Sequence, residues 1–338
     1  MTCLKISRWI KRIAAFLALL AVMCAMSFAC GEEITDAEAY IAAHPGEKVS
    51  LDTAGMDASE LSALLSAYPD VEFEYTLSLC GQSVTGEQTE LVLEGEVTPE
   101  MVQELKTWLP CLPKLAKVDM FDTELTDEDM EYFFYTYPEI RFGWTLHVGR
   151  WYVRTDAEAF STLKTPESSR FKTGHFEKLK YCYQLKALDL GHNSIDDISF
   201  LEGLTELRVL ILADNKIKDI SPLKNLPNLQ YAELFMNYIS DLTPLSGNPN
   251  LLDLNLTYNR IYDWTPLKSC PNIERLWFGE NGIDKEMRKE IEAFFPNTKI
   301  IYSTGSTGYG WRNHPRYDVI YEIFHTGNYI PFDTVPAE

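Results

Sequence analysis

Between residues 185 and 281 apolar positions recur every 22 residues. LKALDLGHN from Leu185, LRVLILADN from Leu207, LQYAELFMN from Leu229, LLDLNLTYN from Leu251 and IERLWFGEN from Ile273 share one pattern: apolar at the first, fourth and sixth places, asparagine at the ninth. The alternation predicts a short strand per repeat whose third, fifth and seventh residues point away from the core. The second half is equally regular, as NSIDDISFLEGL and NKIKDISPLKNL show. Ile195, Ile198, Leu201 and Leu204 must face inward with Leu185, Leu188 and Leu190. Asn193, Asn215, Asn237, Asn259 and Asn281 form a column of buried amides able to bond the turn backbone. Asp197, Asp219, Asp241 and Asp263, each two residues before Ser or Thr, suit short helical turns. Pro222, Pro244 and Pro266 fit the start of such turns. So few residues remain for the return path that 3₁₀ turns are expected in place of full helices.

The pattern L-x-x-L-x-L-x-x-N is the leucine-rich repeat signature, and the array, over 163–298, resembles the short repeats of bacterial internalins. The resemblance implies an α/β solenoid with parallel strands on the concave face and 3₁₀ turns on the convex face. It also implies a role in binding and no chemistry of its own. The first copy is degenerate: Phe176, Leu179 and Cys182 match its back half, but its expected strand carries Pro166. Ala232 and Asn248 replace leucines. After Ile283 the pattern becomes a helix, DKEMRKEIEAFFPN, followed by a last strand at Lys299 to Tyr302. Open solenoid ends need covers, so residues 299–338 are read as a C-terminal cap. Within it RYDVIYEIFHTG is amphipathic, with Tyr317, Ile320, Tyr321 and Phe324 on one side.

Residues 30–162 carry a second repeat. VSLDTAGMDASELSALLSAYPDVEFEYTLSLCGQSV from Val49 aligns without gaps on the segment from Val118, at an offset of 69. Each copy reads strand, helix, then a long alternating strand entering a turn. This helix-rich part is either an N-terminal cover of the solenoid or a separate α/β domain.

Residues 1–29 have the makings of an export signal: Lys5, Arg8, Lys11 and Arg12, then an apolar run from Ile13 to Met26, then Ser27-Phe28-Ala29. Cys30 directly after resembles the lipidated cysteine of bacterial lipoproteins. The expectation is an exported protein anchored through acylated Cys30 on the outer face of the cell membrane, or secreted if that match fails. Loss of the signal would shift the net charge from −20 to −24, a surface that repels nucleic acid. Of the four later cysteines, Cys182 and Cys270 occupy the same core slot 88 residues apart. At about 4.8 Å per layer that is roughly 19 Å, too far to bridge. Cys80 and Cys111 are the one pair considered for a disulfide.

No catalytic motif, cofactor loop or metal-ligand spacing stands out. One aspartate per layer supplies too few oxygens for calcium. The informative residues lie on the concave face: Ile211, Tyr231, Glu233, Phe235, Asp253, Asn255, Arg275 and Trp277. A face meeting only water would be polar, and aromatic anchors beside charges are what binding hot spots are made of. The first expectation is recognition of a protein or peptide partner there. Covering of the patch by the chain's own C-terminal tail is the competing one. An envelope structural role with self-association, and a hydrolase hidden in the N-terminal region, are the alternatives in other classes.

Overall fold

The structure, a computed structural model, describes residues 48–162, 170–303 and 305–331. The expected signal, Cys30 and Pro166 lie outside the described residues. Contacts divide the chain into two compact units, Met1–Trp144 and Thr145–Glu338.

In the first unit β1 (Val49–Ser50) pairs in parallel with β2 (Phe73–Glu74), and α1 (Ala58–Ala67) connects them. A hairpin follows, β3 (Thr76–Leu79) against β4 (Gln82–Thr85). Then β5 (Glu90–Val92), β6 (Lys117–Asp119) and β7 (Arg141–Gly143) form a parallel sheet, crossed over by α2 (Pro99–Trp108) and α3 (Asp127–Thr136). Each helix starts on a side-chain cap, Asp57, Thr98 or Thr126, and buries an i, i+3 pair: Leu61 and Leu64, Val102 and Leu105, Met130 and Phe133. The helices α1 and α3 start and end 69 residues apart, matching the offset of the sequence duplication.

The second unit opens with the hairpin β8 (Thr145–Val148) and β9 (Trp151–Arg154). Seven parallel strands then lie side by side in chain order: β10 (Ala159–Ser161), β11 (Ala187–Asp189), β12 (Val209–Ile211), β13 (Tyr231–Glu233), β14 (Asp253–Asn255), β15 (Arg275–Trp277) and β16 (Lys299–Ile301). The sheet therefore begins ahead of residue 163, at Ala159, which pairs with Ala187 across a 28-residue step. The middle residue of each strand faces the interior, so Phe160, Leu188, Leu210, Ala232, Leu254, Leu276 and Ile300 stack in register.

On the return path, 3₁₀ turns run over Ser199–Leu201, Ser221–Asn225, Thr243–Leu245 and Thr265–Ser269. Each is preceded by an aspartate accepting the backbone N–H two residues on, at 2.8–2.9 Å, from Asp197 to Asp263. The asparagine column works as a backbone clamp. Asn237 Nδ2 donates to the carbonyls of Leu212, Leu234 and Phe235, while its Oδ1 accepts from Ile217 N. Asn215 and Asn259 repeat this one layer away. Clamping the turn carbonyls this way satisfies polar backbone that a leucine could not.

After β15, α4 (Lys285–Phe294) takes the place of a 3₁₀ turn, and Phe294 and Phe295 pack edge-on to Trp264. The four described cysteines are free. Cys80 donates to the Met101 carbonyl and Cys111 to that of Ala58, so the considered disulfide is not formed. Burial raises both thiols to about 11, which removes them from ordinary thiolate chemistry.

Candidate functional site: the concave face and its cover

Parallel pairing in register places the outward residues in two rows. One runs Ala187, Val209, Tyr231, Asp253, Arg275, Lys299; the other runs Asp189, Ile211, Glu233, Asn255, Trp277, Ile301. The sheet thus brings Ile211, Tyr231, Glu233, Asp253, Asn255, Arg275 and Trp277 onto one surface, with Phe235 just beyond β13. None of the eight is open to solvent: all are 0–3% exposed. The expectation of an accessible partner face is corrected on that point, and the cause is residues 305–331 of the same chain. The C-terminal segment does not sit over the solenoid's end as a cap. It runs back across the concave face.

The covering segment enters over β15. A Cβ on Gly279 would lie 1.9 Å from the Ser303 carbonyl oxygen, so only glycine lets the chain pass there. Three groups of the face then hold its backbone. Asn255 Nδ2 donates to the Ser306 carbonyl, Trp277 Nε1 to Gly308 at 3.0 Å, and Arg275 to Trp311 at 3.1 Å. The Trp311 ring lies 5.3 Å from Tyr231 and 4.9 Å from Trp277, between centroids, and its Nε1 donates to Glu233 at 2.6 Å. Arg312 donates to the other Glu233 oxygen at 3.1 Å.

The segment's helix, α5 (Pro315–Thr326), starts on His314 with proline in its first turn and ends on Gly327 in the left-handed conformation. Arg316, Ile320 and Ile323 form its buried side. Arg316 donates to Asp253 at 3.1 Å and also pairs with Glu274. Arg275 grips the same Asp253 through two parallel bonds, at 2.8 and 2.9 Å. Ile320 and Ile323 join Ala187, Val209, Ile211, Ala213, Phe235 and Trp311 in an apolar cluster on the outside of the sheet. Past the helix, Tyr329 reaches Glu158 through its backbone N–H and Gln230 through its hydroxyl.

Asp189 is the one carboxylate of the face with no arginine bonded to it in the contacts described. It accepts from Gly191 N at 3.0 Å and Ser161 Oγ at 3.3 Å. Burial raises it to about 7, with Glu233 adding to the rise and Arg312 and the Gly191 N–H opposing it.

Sequence reasoning missed Trp311, Arg312 and Arg316, none of which is among the residues expected at the site. The buried side of α5 also departs from expectation, since Tyr321 is exposed and Arg316 buried. The signal was charge: from β11 to β15 the outward rows hold Asp189, Glu233 and Asp253 against one base, Arg275, and WRNHPR supplies two further guanidiniums. Outside the face, Met236, Tyr238, Tyr258 and Tyr262 are exposed on the loops that follow β13 and β14, and Arg260 lies 4.5 Å over the Tyr238 ring. Gly282 makes room for the Tyr262 ring, where a Cβ would come within 2.1 Å of it.

Elsewhere the first unit holds an open cleft of about 400 Å³ lined in part by Tyr68, Tyr75, Glu87 and Lys114. Tyr75 is committed to the Cys111 carbonyl at 2.6 Å and Glu87 to Lys114 at 2.7 Å. Among the described residues no His, Cys, Asp and Glu group of three or more could hold a metal ion. No described helix is long and apolar enough to cross a membrane.

A two-copy leucine-rich repeat family model matches residues 183–225 and 205–247, and a single-repeat model matches 247–263. No curated protein matches the chain. Among solved structures, internalin C2 of Listeria monocytogenes is 26% identical, over 66% of this chain and 86% of that one, with a TM-score of 0.35. A leucine-rich repeat protein of Leptospira interrogans is 18% identical, over 72% and 62%, with a TM-score of 0.35. A plant peptide hormone receptor solved with RGF2 is 17% identical, over 55% and 30%, with a TM-score of 0.30. Residues 183–263 are therefore leucine-rich repeats.

Proposed function

We propose that the protein is a non-enzymatic binding module of the cell exterior, held to the membrane by a lipid on Cys30. Its concave residues take a polypeptide segment, and that place is held in this structure by the chain's own residues 305–331. Leucine-rich repeat proteins mediate protein–protein binding and are typically non-enzymatic. The observation that carries the reading is that the same eight residues, from Ile211 to Trp277, are those that grip the segment. They do so through aromatic contact, charge and bonds to its backbone. A partner reaches them by replacing the segment. A second reading rests on Met236, Tyr238, Tyr258 and Tyr262, whose exposure allows contact at the loop edge while the segment stays in place.

Thiol labelling separates the two. Ile320 is buried on the sheet-facing side of α5, so a cysteine in Ile320→Cys is protected while the segment is docked. On cells displaying this variant, bound partner is expected to speed maleimide modification at position 320 by tenfold or more. Partner crosslinking with position 320 still protected would move the site to the exposed tyrosines.

A further inference from the structure

The resident segment shows what chemistry its seat fits. On the reading above, that the face takes a polypeptide segment by exchange, we infer that the partner class is a cationic, aromatic-led helical peptide. Its pattern is tryptophan and arginine together, a second arginine four residues on, and aliphatic residues four and seven beyond that.

Charge argues this first. Asp189, Glu233 and Asp253 are buried on the face with Arg275 as the one base of its two strand rows between β11 and β15. Arg312 and Arg316 supply the difference, the first on Glu233 and the second on Asp253. An apolar peptide would leave buried carboxylates uncompensated, and an acidic one would add like charge to them. Shape argues it next. Trp311 fits between Tyr231 and Trp277, and five residues on, in the first turn of α5, Arg316 meets Asp253 on β14. One further turn brings Ile320, then Ile323, over the apolar end made by Ala187, Val209 and Ile211. Polarity is fixed as well. The notch at Gly279 admits the chain over β15, and the Tyr329 bonds to Glu158 and Gln230 hold its far end. The grips of Asn255, Trp277 and Arg275 on carbonyls read backbone alone, so the selectivity rests on positions 311, 312, 316, 320 and 323.

A segment joined by a short connector competes with a free ligand at an effective concentration on the order of millimolar. Exchange is therefore measured after the connector is cut. A protease site is placed in the full chain between Ser303 and Tyr309, cut under native conditions, and the product checked by circular dichroism. A fluorescent peptide of residues 305–331 is then competed against the same peptide with Arg312→Glu and Arg316→Glu, and against one with Ile320→Ser and Ile323→Ser. The native peptide is expected to replace the cut segment, and the charge-reversed one to compete at least 100-fold more weakly. Equal competition by the charge-reversed peptide overturns the cationic selectivity while leaving the face a peptide seat. Loss of fold on cutting, or failure of every peptide to enter, overturns the underlying reading, because the segment is then an inseparable part of the core.

Discussion

Asp253→Ala is expected to destabilise the repeat unit by about 4 kcal/mol, more than any other single change on the face. Removing one member of a buried ion pair strands its partner, which costs about 3–5 kcal/mol. Here two guanidiniums share one carboxylate, and among the described residues only Arg316 has a second one, Glu274. Arg275 gives it two bonds and Arg316 one, and the arginines are 3% and 1% exposed. Arg316→Met should cost less, about 2 kcal/mol, because Asp253 keeps its bidentate pair with Arg275 and the methionine keeps the apolar stem. Guanidinium chloride unfolding followed by circular dichroism checks the order. A loss below about 1 kcal/mol for Asp253→Ala would mean that water reaches the cluster and that the covering segment is loosely held. Limited proteolysis gives an independent readout, since the alanine variant should release the C-terminal segment before the repeats themselves are cut.

The parts of this architecture that were legible in the sequence are those fixed by local repetition. Each strand, asparagine and 3₁₀ turn is specified within its own 22 residues, so Asn237 or Asp241 could be assigned a role from spacing alone. The seven-residue alternation likewise put Tyr231, Glu233 and Trp277 on one surface. What was not legible is set by long-range pairing. The meeting of Trp311 with Glu233 spans 78 residues and that of Arg316 with Asp253 spans 63, and no periodicity links them. Arg316 is absent from the expected apolar side of its helix, yet the helix buries it because a carboxylate waits on the sheet. The first strand shows the same limit. Ala159–Ser161 lacks the repeat signature and is defined by its pairing with Ala187–Asp189.

The second large effect is a stability that falls as pH rises through the neutral range, traced to Asp189. Its carboxyl is held at about 7 in the folded chain, above the ordinary value near 4 of an unfolded aspartate. Between those two values the folded state keeps a proton that the unfolded state has lost. The stabilisation is therefore fully present below about pH 4, and is lost progressively as pH rises to about 7 and above. The difference between the two values corresponds to about 4 kcal/mol at most by proton linkage. Around it stand the Ser161 hydroxyl and Gly191 N–H as donors, Glu233 as a like charge, Arg312 as the opposing one, and Tyr317 of α5, whose hydroxyl is raised in part by the Asp189 charge. Carboxylates lowered by partners, such as Asp129 beside Lys106 and Glu158 beside Lys186, act in the opposite sense but only toward acid pH. Asp189→Asn retains an acceptor for Gly191 and has no charge to lose, so its stability should be level where the parent's declines. Subtracting the two profiles, measured by urea unfolding from pH 5 to 8.5, isolates the effect from every other titrating group. A flat difference would show that Asp189 does not change its protonation between pH 5 and 8.5, and would remove it as the source of the effect.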